Sequence, residues 1–247
     1  ISVQVITDDQ HVVLQTKDGY FLRFSAQEVA EKKKAAVGVR GIKLRKNDEL
    51  EQIYLGVHPE WMDYMAGLVE RYVSGAELPR VHLVAGGAER NETIMNVIRQ
   101  IEADFGENGP HYIITQDGVR PFVSRRLIAD HIKAVVKYDA VDTAIPAVDT
   151  IVLSEDGKFI SDIPERKYLY QSQTPQSFRM DLIKQLYMEL TPEEKSILTD
   201  ACKICTVRRV PVHIVAGEAS NMKITTAEDY QIAQIMAENW ESDTKSS

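Results

Sequence analysis

The sequence predicts an α/β fold in which helices cover a doubly wound, mostly parallel sheet, with a projecting β-arm and a small β-rich segment in front. Three observations predict it. From Gly56 onward, apolar stretches of helical period alternate with short apolar strands, a pattern typical of strand–helix–strand units. The dipeptide Asp156-Gly157 between two apolar stretches indicates the hairpin turn of an arm. Before Gly56, apolar and polar residues alternate, as is typical of β-strands.

The β-rich segment covers residues 1–55. Residues 12–16 and 20–24 are predicted to pair as a hairpin through a turn at residues 17–19. Residues 32–46 then carry seven basic residues and no acid. Such a stretch can follow a phosphate backbone, but a solvated loop without a DNA role is the interpretation that we prefer. The formal net charge of the whole chain, −8, also opposes DNA binding.

Helices and strands alternate over residues 56–240, the predicted α/β domain, and indicate a Rossmann-like arrangement. A helix is expected over residues 59–73. Asn91 and Ser124 each precede an apolar stretch of helical period and are predicted N-caps. Strands are predicted at residues 80–84, at residues 113–114 and around residues 141–148.

The second half of this domain is less regular. The arm is expected around residues 150–160, and Gln173-Thr174-Pro175-Gln176 is predicted to open a helix. Thr191-Pro192-Glu193-Glu194 fits a capping box and predicts a helix that contains Cys202 and Cys205 as reduced, partly buried thiols. The remaining predictions are a strand at residues 211–215, a helix from Thr226 to near Trp240, and a disordered tail at residues 241–247.

Length and composition limit the class of protein. The 247 residues are enough for one α/β domain, alone or with a smaller appended piece. No apolar stretch approaches the roughly 20 residues needed to span a bilayer, and the first residues do not form a charged leader followed by an apolar block. We therefore expect a cytoplasmic protein without a membrane role.

Asp117 is the first candidate for catalysis. It follows an apolar strand and precedes Gly118, Arg120 and Pro121. In open α/β sheets ligands bind beyond the carboxyl ends of the strands, and an acid there can hold Mg²⁺ carried by the phosphates of a nucleotide. A solvated Asp-Gly turn is an equally good interpretation of this stretch alone.

Three other polar constellations follow strands or the arm. Gly86-Gly87 opens a loop that leads into a helix near Thr93, where backbone amides can approach a ligand. The guanidinium of Arg166 and the hydroxyl of Thr174 are suited to binding a phosphate, although Thr174 also fits a simple helix cap. Lys223 stands between a strand and a helix among apolar residues, either as a functional cation or as a snorkelling surface lysine.

Six motifs occur in a fixed order. They are Gly-Gly-x-x-Arg-x-x-Thr at residues 86–93, Asp-x-x-Arg-Pro at 117–121, Asp-Thr at 149–150, Gln-Thr-Pro-Gln at 173–176, Leu-Thr-Asp at 198–200 and Asn-x-Lys-Ile-Thr at 221–225. In order and spacing they resemble the cytidylyltransferases that make CDP-alcohols, over roughly residues 56–238. Residues 91–96, 170–178 and 197–205 are more similar to the D-ribitol 5-phosphate branch, which supplies CDP-ribitol for teichoic acid. The alternative is the 2-C-methyl-D-erythritol 4-phosphate branch of isoprenoid biosynthesis.

The resemblance implies that the phosphate of an alcohol attacks the α-phosphorus of CTP and that pyrophosphate leaves. Asp117 and Lys223 would be the catalytic residues, and Asp117 would also hold Mg²⁺. The residues implied for CTP are Gly86, Gly87, Ala88, Arg90, Thr93, Asp117, Gly118 and Arg120. Those implied for the acceptor are Thr150, Arg166, Thr174, Thr199 and Lys223. Because Thr150 and Arg166 lie on the arm, they would serve the neighbouring subunit of a homodimer.

One feature of the family is missing from this sequence. The family begins with a strand that leads into Leu-x-Gly-Gly-x-Gly-x-Arg and then Pro-Lys-Gln, which wrap the triphosphate. In that place, residues 1–55 resemble one blade of the DNA-wrapping C-terminal domain of gyrase A, chiefly through residues 38–44. We expect a fusion near Leu55-Gly56 and weak or no turnover. The alternatives are a DNA-binding fragment of gyrase A and a non-catalytic scaffold that keeps the dimer arm.

Overall fold

The computed structural model describes residues 11–15, 21–25, 52–73, 75–106 and 111–245. The strands are β1 (His11–Gln15), β2 (Phe21–Ser25), β3 (Ile53–Val57), β4 (Val81–Ala85), β5 (Tyr112–Thr115), β6 (Ala140–Pro146), β7 (Tyr170–Arg179) and β8 (His213–Ala216). The helices are α1 (Met62–Tyr72), α2 (Arg90–Phe105), α3 (Arg125–Tyr138), α4 (Met180–Met188), α5 (Pro192–Ser196), α6 (Ala201–Val207) and α7 (Ala227–Lys245). Short 3-10 helices cover Pro59–Trp61, Leu78–Arg80 and Arg166–Tyr168.

The strands of these residues form three sheets. β1 and β2 pair in antiparallel register, from His11 opposite Ser25 to Gln15 opposite Phe21, so the predicted strand pairing is confirmed. The turn predicted at residues 17–19 lies outside the described residues. β3 and β4 pair in parallel. The largest sheet has the order β5–β7–β6–β8, in which β6 and β8 are parallel and β7 runs against both of its neighbours. This mixed, parallel-rich arrangement with helices confirms the predicted α/β class.

Strand β3 departs from the prediction. All five of its residues are buried, and they pair along β4 from Ile53 opposite Val81 onward. The predicted boundary between Leu55 and Gly56 therefore lies inside a strand that belongs to the α/β structure. A strand buried on both faces is apolar throughout, so it lacks the alternation by which a strand is found in a sequence.

The segment around Thr174 is also different from the prediction. It does not open a helix, because it lies within the ten-residue strand β7, and α4 begins only at Met180. The Thr174–Pro175 peptide bond is cis. Proline cannot donate to a strand ladder and is therefore rare in the interior of a sheet. Here Pro175 lies at an irregularity of β7, where such a donor is not needed.

The predicted helix starts have mixed outcomes. Ser124 caps α3, since its Oγ accepts a hydrogen bond from Leu127 N at 3.2 Å. Asn91 was predicted as a cap and is not one: α2 begins at Arg90, and Asn91 is a buried residue of its first turn. A residue inside the first turn has helical backbone angles, whereas the N-cap lies just before that turn, so Asn91 lies too late in the chain to act as the cap.

The helix predicted to carry both cysteines is divided in two. Thr191 does form the predicted capping box with Glu194, but α5 ends after five residues. Asp200 then caps α6, which contains both cysteines. Cys202 and Cys205 are buried and free, and burial raises the pKa of the Cys205 thiol to about 12.

Three clusters of buried side chains hold these elements together. The largest joins α2, α4 and α6 to the sheet strands, the second packs α1 on β3, and the third packs α3 on β6 and β8. Helix α7 extends to Lys245, beyond the predicted end near Trp240. Among the described residues, no helix has both the length and the apolarity that crossing a membrane requires.

The predicted arm is present between β6 and β7. An isolated bridge pairs Leu153 with Asp162, and Gly157 adopts a positive φ of 69° at the tip. The carboxylate of Asp156 accepts hydrogen bonds from the backbone amides of Lys158 and Phe159, at 2.9 Å and 3.0 Å. These bonds fix the turn locally, without help from the main sheet.

Candidate active site

Three cations surround Asp117 just beyond the end of β5. Its carboxylate accepts a hydrogen bond from Arg90 Nε at 3.1 Å and lies 3.4 Å from Lys223 Nζ and 3.9 Å from Arg120 Nε. Arg90, Arg120 and Lys223 follow the carboxyl ends of β4, β5 and β8 respectively. The site thus occupies the position where open α/β sheets bind their ligands.

The charges around Asp117 favour its ionised form. Burial raises the pKa of its carboxyl group, but the positive charges of Arg90, Lys223 and Arg120 lower it by more, so the net pKa is below its ordinary value. Within the described part of the chain, Arg90 Nη1 and Arg120 Nε are buried without a hydrogen-bond partner. Unused buried donors are rare in native proteins, and these two suit an anionic ligand.

Strand β7 bulges next to Asp117. The register between β6 and β7 shifts between Val141 and Thr143, which leaves residues 174–176 of β7 opposite a single residue of β6. Those residues therefore lose their ladder hydrogen bonds to β6, as at β-bulges generally. The amide of Asp117 donates to Thr174 Oγ1 at 3.0 Å, so the candidate catalytic acid is attached directly to this bulge.

Side chains replace the lost ladder bonds of the bulge. Each of its three carbonyl groups accepts one hydrogen bond from a neighbouring element. The pairs are Asn221 Nδ2 to Thr174 O at 2.7 Å, Thr143 Oγ1 to Pro175 O at 2.7 Å and Thr115 Oγ1 to Gln176 O at 3.1 Å. An unpaired buried carbonyl would cost free energy, so these three donors hold the irregular backbone in one conformation.

The loop that carries Lys223 is tied to the same bulge. Arg120 Nη1 donates to Asn221 O at 2.8 Å, and the amide of Ile224 donates to Val119 O at 2.9 Å. Gln173 Nε2 donates to Glu218 O at 3.0 Å at the start of the loop. These bonds place Lys223 beside Asp117, although about half of the lysine side chain, 48%, remains exposed.

The Gly86–Thr93 loop is closed on itself. A side chain at Gly87 would put its Cβ 2.3 Å from Glu92 Cβ, so only glycine fits there. The Gly87 amide donates to Thr93 Oγ1 at 3.0 Å, and the Ala88 amide donates to Glu92 Oε2 at 2.9 Å. The amides that the family resemblance assigns to the cytosine thus have partners inside the loop.

Comparison with known proteins decides the family. The sequence pattern of the 2-C-methyl-D-erythritol 4-phosphate cytidylyltransferases, IspD, matches residues 32–239. The chain belongs to the IspD family. The match begins inside the segment that we assigned to residues 1–55, upstream of the predicted domain boundary.

Solved structures of the family have the same fold. The 4-diphosphocytidyl-2C-methyl-D-erythritol synthase of Anaerococcus prevotii is 28% identical, with a TM-score of 0.62 over 76% of this chain and 82% of that one. The 2-C-methyl-D-erythritol 4-phosphate cytidylyltransferase of Thermus thermophilus is 25% identical, with a TM-score of 0.58 over 76% and 82%. The Francisella tularensis enzyme, 20% identical, has a TM-score of 0.62 over 79% and 82%. This chain is therefore an enzyme, a CTP-using cytidylyltransferase of the IspD type.

The IspD fold brings the predicted residues together only in part. Arg90, Asp117, Arg120, Thr174 and Lys223 form one connected cluster, and Gly118 is buried beside Asp117. The Gly86–Thr93 loop joins this cluster through the start of α2.

Of the five predicted acceptor residues, Thr174 and Lys223 lie in this cluster and the other three lie apart. Thr150 and Arg166 are exposed on the arm, where Arg166 Nη1 donates to Val148 O at 2.8 Å. Thr199 is exposed just before α6. Within the part of the chain that the structure describes, no hydrogen bond or ion pair links these three residues to Asp117.

Two residues of the cluster were quoted in the motifs without a role. Asn221 is fully buried and connects the Lys223 loop to the bulge, and Gln173 bonds the start of the same loop. The Asn-x-Lys spacing is the sequence signal that could have identified Asn221, because both residues belong to one short loop. Gln173 has no such signal, since its partner lies 45 residues away.

Asp117 could supply one carboxylate ligand to Mg²⁺, but not a complete set of protein ligands. Among the described residues, no group of three or more His, Cys, Asp or Glu side chains could hold a metal ion. Mg²⁺ usually takes only one or two protein carboxylates and completes its shell with water and substrate phosphates. A single ionised carboxylate beside unused donors is compatible with that arrangement.

Proposed function

We propose that this chain transfers CMP from CTP to 2-C-methyl-D-erythritol 4-phosphate, with release of pyrophosphate. One observation carries the proposal: a buried, ionised Asp117 faces Arg90, Arg120 and Lys223 at the ligand-binding edge of the sheet. Three positive charges against one negative charge leave an excess that attracts a triphosphate. The family and its solved members, named for this alcohol phosphate, support the choice of acceptor.

In the proposed reaction, an oxygen of the acceptor phosphate bonds to the α-phosphorus of CTP. The bond from that phosphorus to the bridging oxygen of the β-phosphate breaks, and pyrophosphate leaves with the electron pair. Lys223, the most exposed of the three cations, is placed to contact the reacting phosphates, while Arg90 and Arg120 stabilise the charge that develops. Mg²⁺ bound at Asp117 would supply further neutralisation of the triphosphate.

The remaining roles follow the family resemblance. Gly87, Ala88 and Thr93 would contact the cytosine, and Gly86 would belong to the same CTP-binding loop. Contact with the cytosine requires Glu92 and Thr93 to release the amides of Ala88 and Gly87. On the acceptor side, Thr199 would contact phosphate. Thr150 and Arg166 would hold the acceptor in the neighbouring subunit's site, through a dimer formed by the arms.

D-Ribitol 5-phosphate is the second candidate acceptor, and it was our preferred acceptor from the sequence. The comparisons favour the methylerythritol phosphate instead. One observation favours testing ribitol 5-phosphate as well. Residues 170–178, which resemble the ribitol branch, make up most of β7 and include the bulge beside Asp117. Both acceptors are polyol phosphates, so the cation cluster suits either.

The test is a pyrophosphate-release assay with CTP and Mg²⁺, in which the two alcohol phosphates are offered separately. We expect release with 2-C-methyl-D-erythritol 4-phosphate, and a loss of about 100-fold or more in Asp117→Asn. Asp63→Asn is the matched control, because Asp63 is an exposed carboxylate on α1. Faster release with ribitol 5-phosphate would reassign the acceptor. A folded protein that releases nothing with either compound would instead support the predicted loss of turnover.

A further inference from the structure

A buried histidine is connected to the β7 bulge by hydrogen bonds. His131 of α3 is 0% exposed. Its Nδ1 is 2.8 Å from Ser177 Oγ, and its Nε2 is 2.7 Å from Thr143 Oγ1. Two hydroxyl groups, one from β7 and one from β6, therefore satisfy both ring nitrogens.

The hydrogen bonds around Thr143 identify the tautomer of His131. The single hydroxyl proton of Thr143 goes to Pro175 O, because a carbonyl oxygen can only accept. Thr143 Oγ1 must then accept from His131, so the imidazole carries its proton on Nε2. In the neutral ring, Nδ1 consequently accepts from the hydroxyl of Ser177.

These hydrogen bonds are linked to Asp117 through the backbone of β7. His131 orients Thr143, and Thr143 holds the carbonyl of Pro175, which has no ladder partner on β6. The preceding residue, Thr174, accepts the amide proton of Asp117. If the Thr143 hydroxyl rotated away, the Pro175 carbonyl would be buried without a donor, and the bulge would relax.

We propose that His131 is a positioning residue for CMP transfer: through Thr143 it fixes the Pro175 carbonyl, and with it the bulge of β7 to which Asp117 is bonded. The catalytic part of this proposal rests on the proposed function. The positioning part concerns only the backbone of the folded chain and can be measured without substrate.

Amide hydrogen exchange, followed by NMR, tests the positioning part. In His131→Leu, which keeps the bulk but removes the donor, we expect the Asp117 amide to exchange about tenfold faster or more, relative to the Val215 amide on β8. In His131→Gln, whose side-chain amide can donate to Thr143, this ratio should return close to that of the unmodified chain. Thr143→Val should reproduce the effect of His131→Leu, and the double variant should add nothing further.

A matched control separates positioning from general loss of stability. Ile128 lies on the same helix as His131, is 5% exposed and packs in the α3 cluster. Ile128→Ala should accelerate exchange at Asp117 and Val215 alike, because it removes only core packing. In the pyrophosphate assay, kcat of the folded enzyme should fall about tenfold or more in His131→Leu and recover in His131→Gln, with Ile128→Ala unchanged.

The proposal is overturned if His131→Leu leaves the exchange ratio of Asp117 to Val215 unchanged, or if Ile128→Ala alters that ratio equally. Additive effects of His131→Leu and Thr143→Val would also contradict it, since both are proposed to act on one carbonyl. If the unmodified chain releases no pyrophosphate, the proposed function fails, while the exchange ratio still decides whether His131 positions Asp117.

Discussion

The floor of the site, meaning residues 174–176 of β7 with the side chains that hold them, differs from the arm in how it surrounds side chains of the same kind. On β7, next to the bulge, Phe178 is 0% exposed, whereas Phe159 on the arm is 76% exposed. Polar groups at the floor have partners from distant elements, while Asp156 on the arm bonds only its own turn. One chain can therefore stabilise the geometry around Asp117 by itself, but it leaves the apolar surface of the arm uncovered.

The difference predicts where single substitutions act. Changes at the floor should alter catalysis or the stability of the folded chain, because the groups there are buried and interdependent. Changes on the arm should leave the folded chain intact and should alter only what the arm touches. Three substitutions test this division, in order of decreasing effect.

Lys223→Met should have the largest effect. Removal of a cation placed at the reacting phosphates should lower kcat about 100- to 1,000-fold, the range found when a single transition-state donor is lost. Steady-state pyrophosphate release measures it. Lys133→Met on α3 is the control, since Lys133 is exposed on a helix behind the sheet and should keep full activity. Equal rates for the two variants would remove Lys223 from the reaction.

The stability of the floor should depend on pH through His131. Burial, with a smaller contribution from His213, lowers the pKa of His131 from 6.5 to about 4, against the opposing effect of Asp130. In the unfolded chain His131 therefore becomes protonated below about pH 6.5, whereas in the folded chain it becomes protonated only near pH 4. The contribution of His131 to the free energy of unfolding is therefore fully present above pH 6.5. It declines by about 3 kcal/mol in total as the pH falls to 4.

Denaturant unfolding at several pH values measures this effect. Carboxylates also titrate in the range, so the informative quantity is the difference between the unmodified chain and His131→Gln, which should grow in favour of the variant as the pH falls. His58→Gln is the control, because 57% of the His58 side chain is exposed. A difference that stays constant from pH 7 to pH 4 would mean that His131 titrates equally in the folded and unfolded states.

The contrast between floor and arm also explains what the sequence could predict. Asp117, Arg120 and Lys223 were found because each stands just after a strand within a short motif. The α/β class, the pairing of β1 with β2 and the arm were found because their signals are local periods and turns. A period or a turn is a property of neighbouring residues, so one sequence suffices to show it.

What the sequence could not predict depends on contacts between distant residues. The bulge exists because the register between β6 and β7 shifts. His131 acquires its role only when the fold places Thr143 between it and Pro175. Nothing local marks Pro175 as a strand residue. Strand β3 was missed because complete burial removes the alternation that reveals a strand.

Phe159→Asp should have the smallest effect on the folded chain and so tests the arm most sharply. Because Phe159 is already largely exposed, its replacement should change the free energy of unfolding of the single chain by no more than about 0.5 kcal/mol. If two arms pack together in the proposed dimer, the same change buries a charge between apolar side chains and should convert dimer to monomer, as sedimentation equilibrium would measure.

Lys158→Gln is the matched control for this substitution. It changes the net charge by the same amount at the neighbouring residue, which is exposed, but it leaves the apolar surface of the arm intact. It should therefore remain dimeric. A monomeric unmodified chain, or a Phe159→Asp variant that dimerises as strongly as Lys158→Gln, would show that the arm is not the contact between subunits. Thr150 and Arg166 would then have no route to a neighbouring site, and acceptor binding would have to come from residues around the floor.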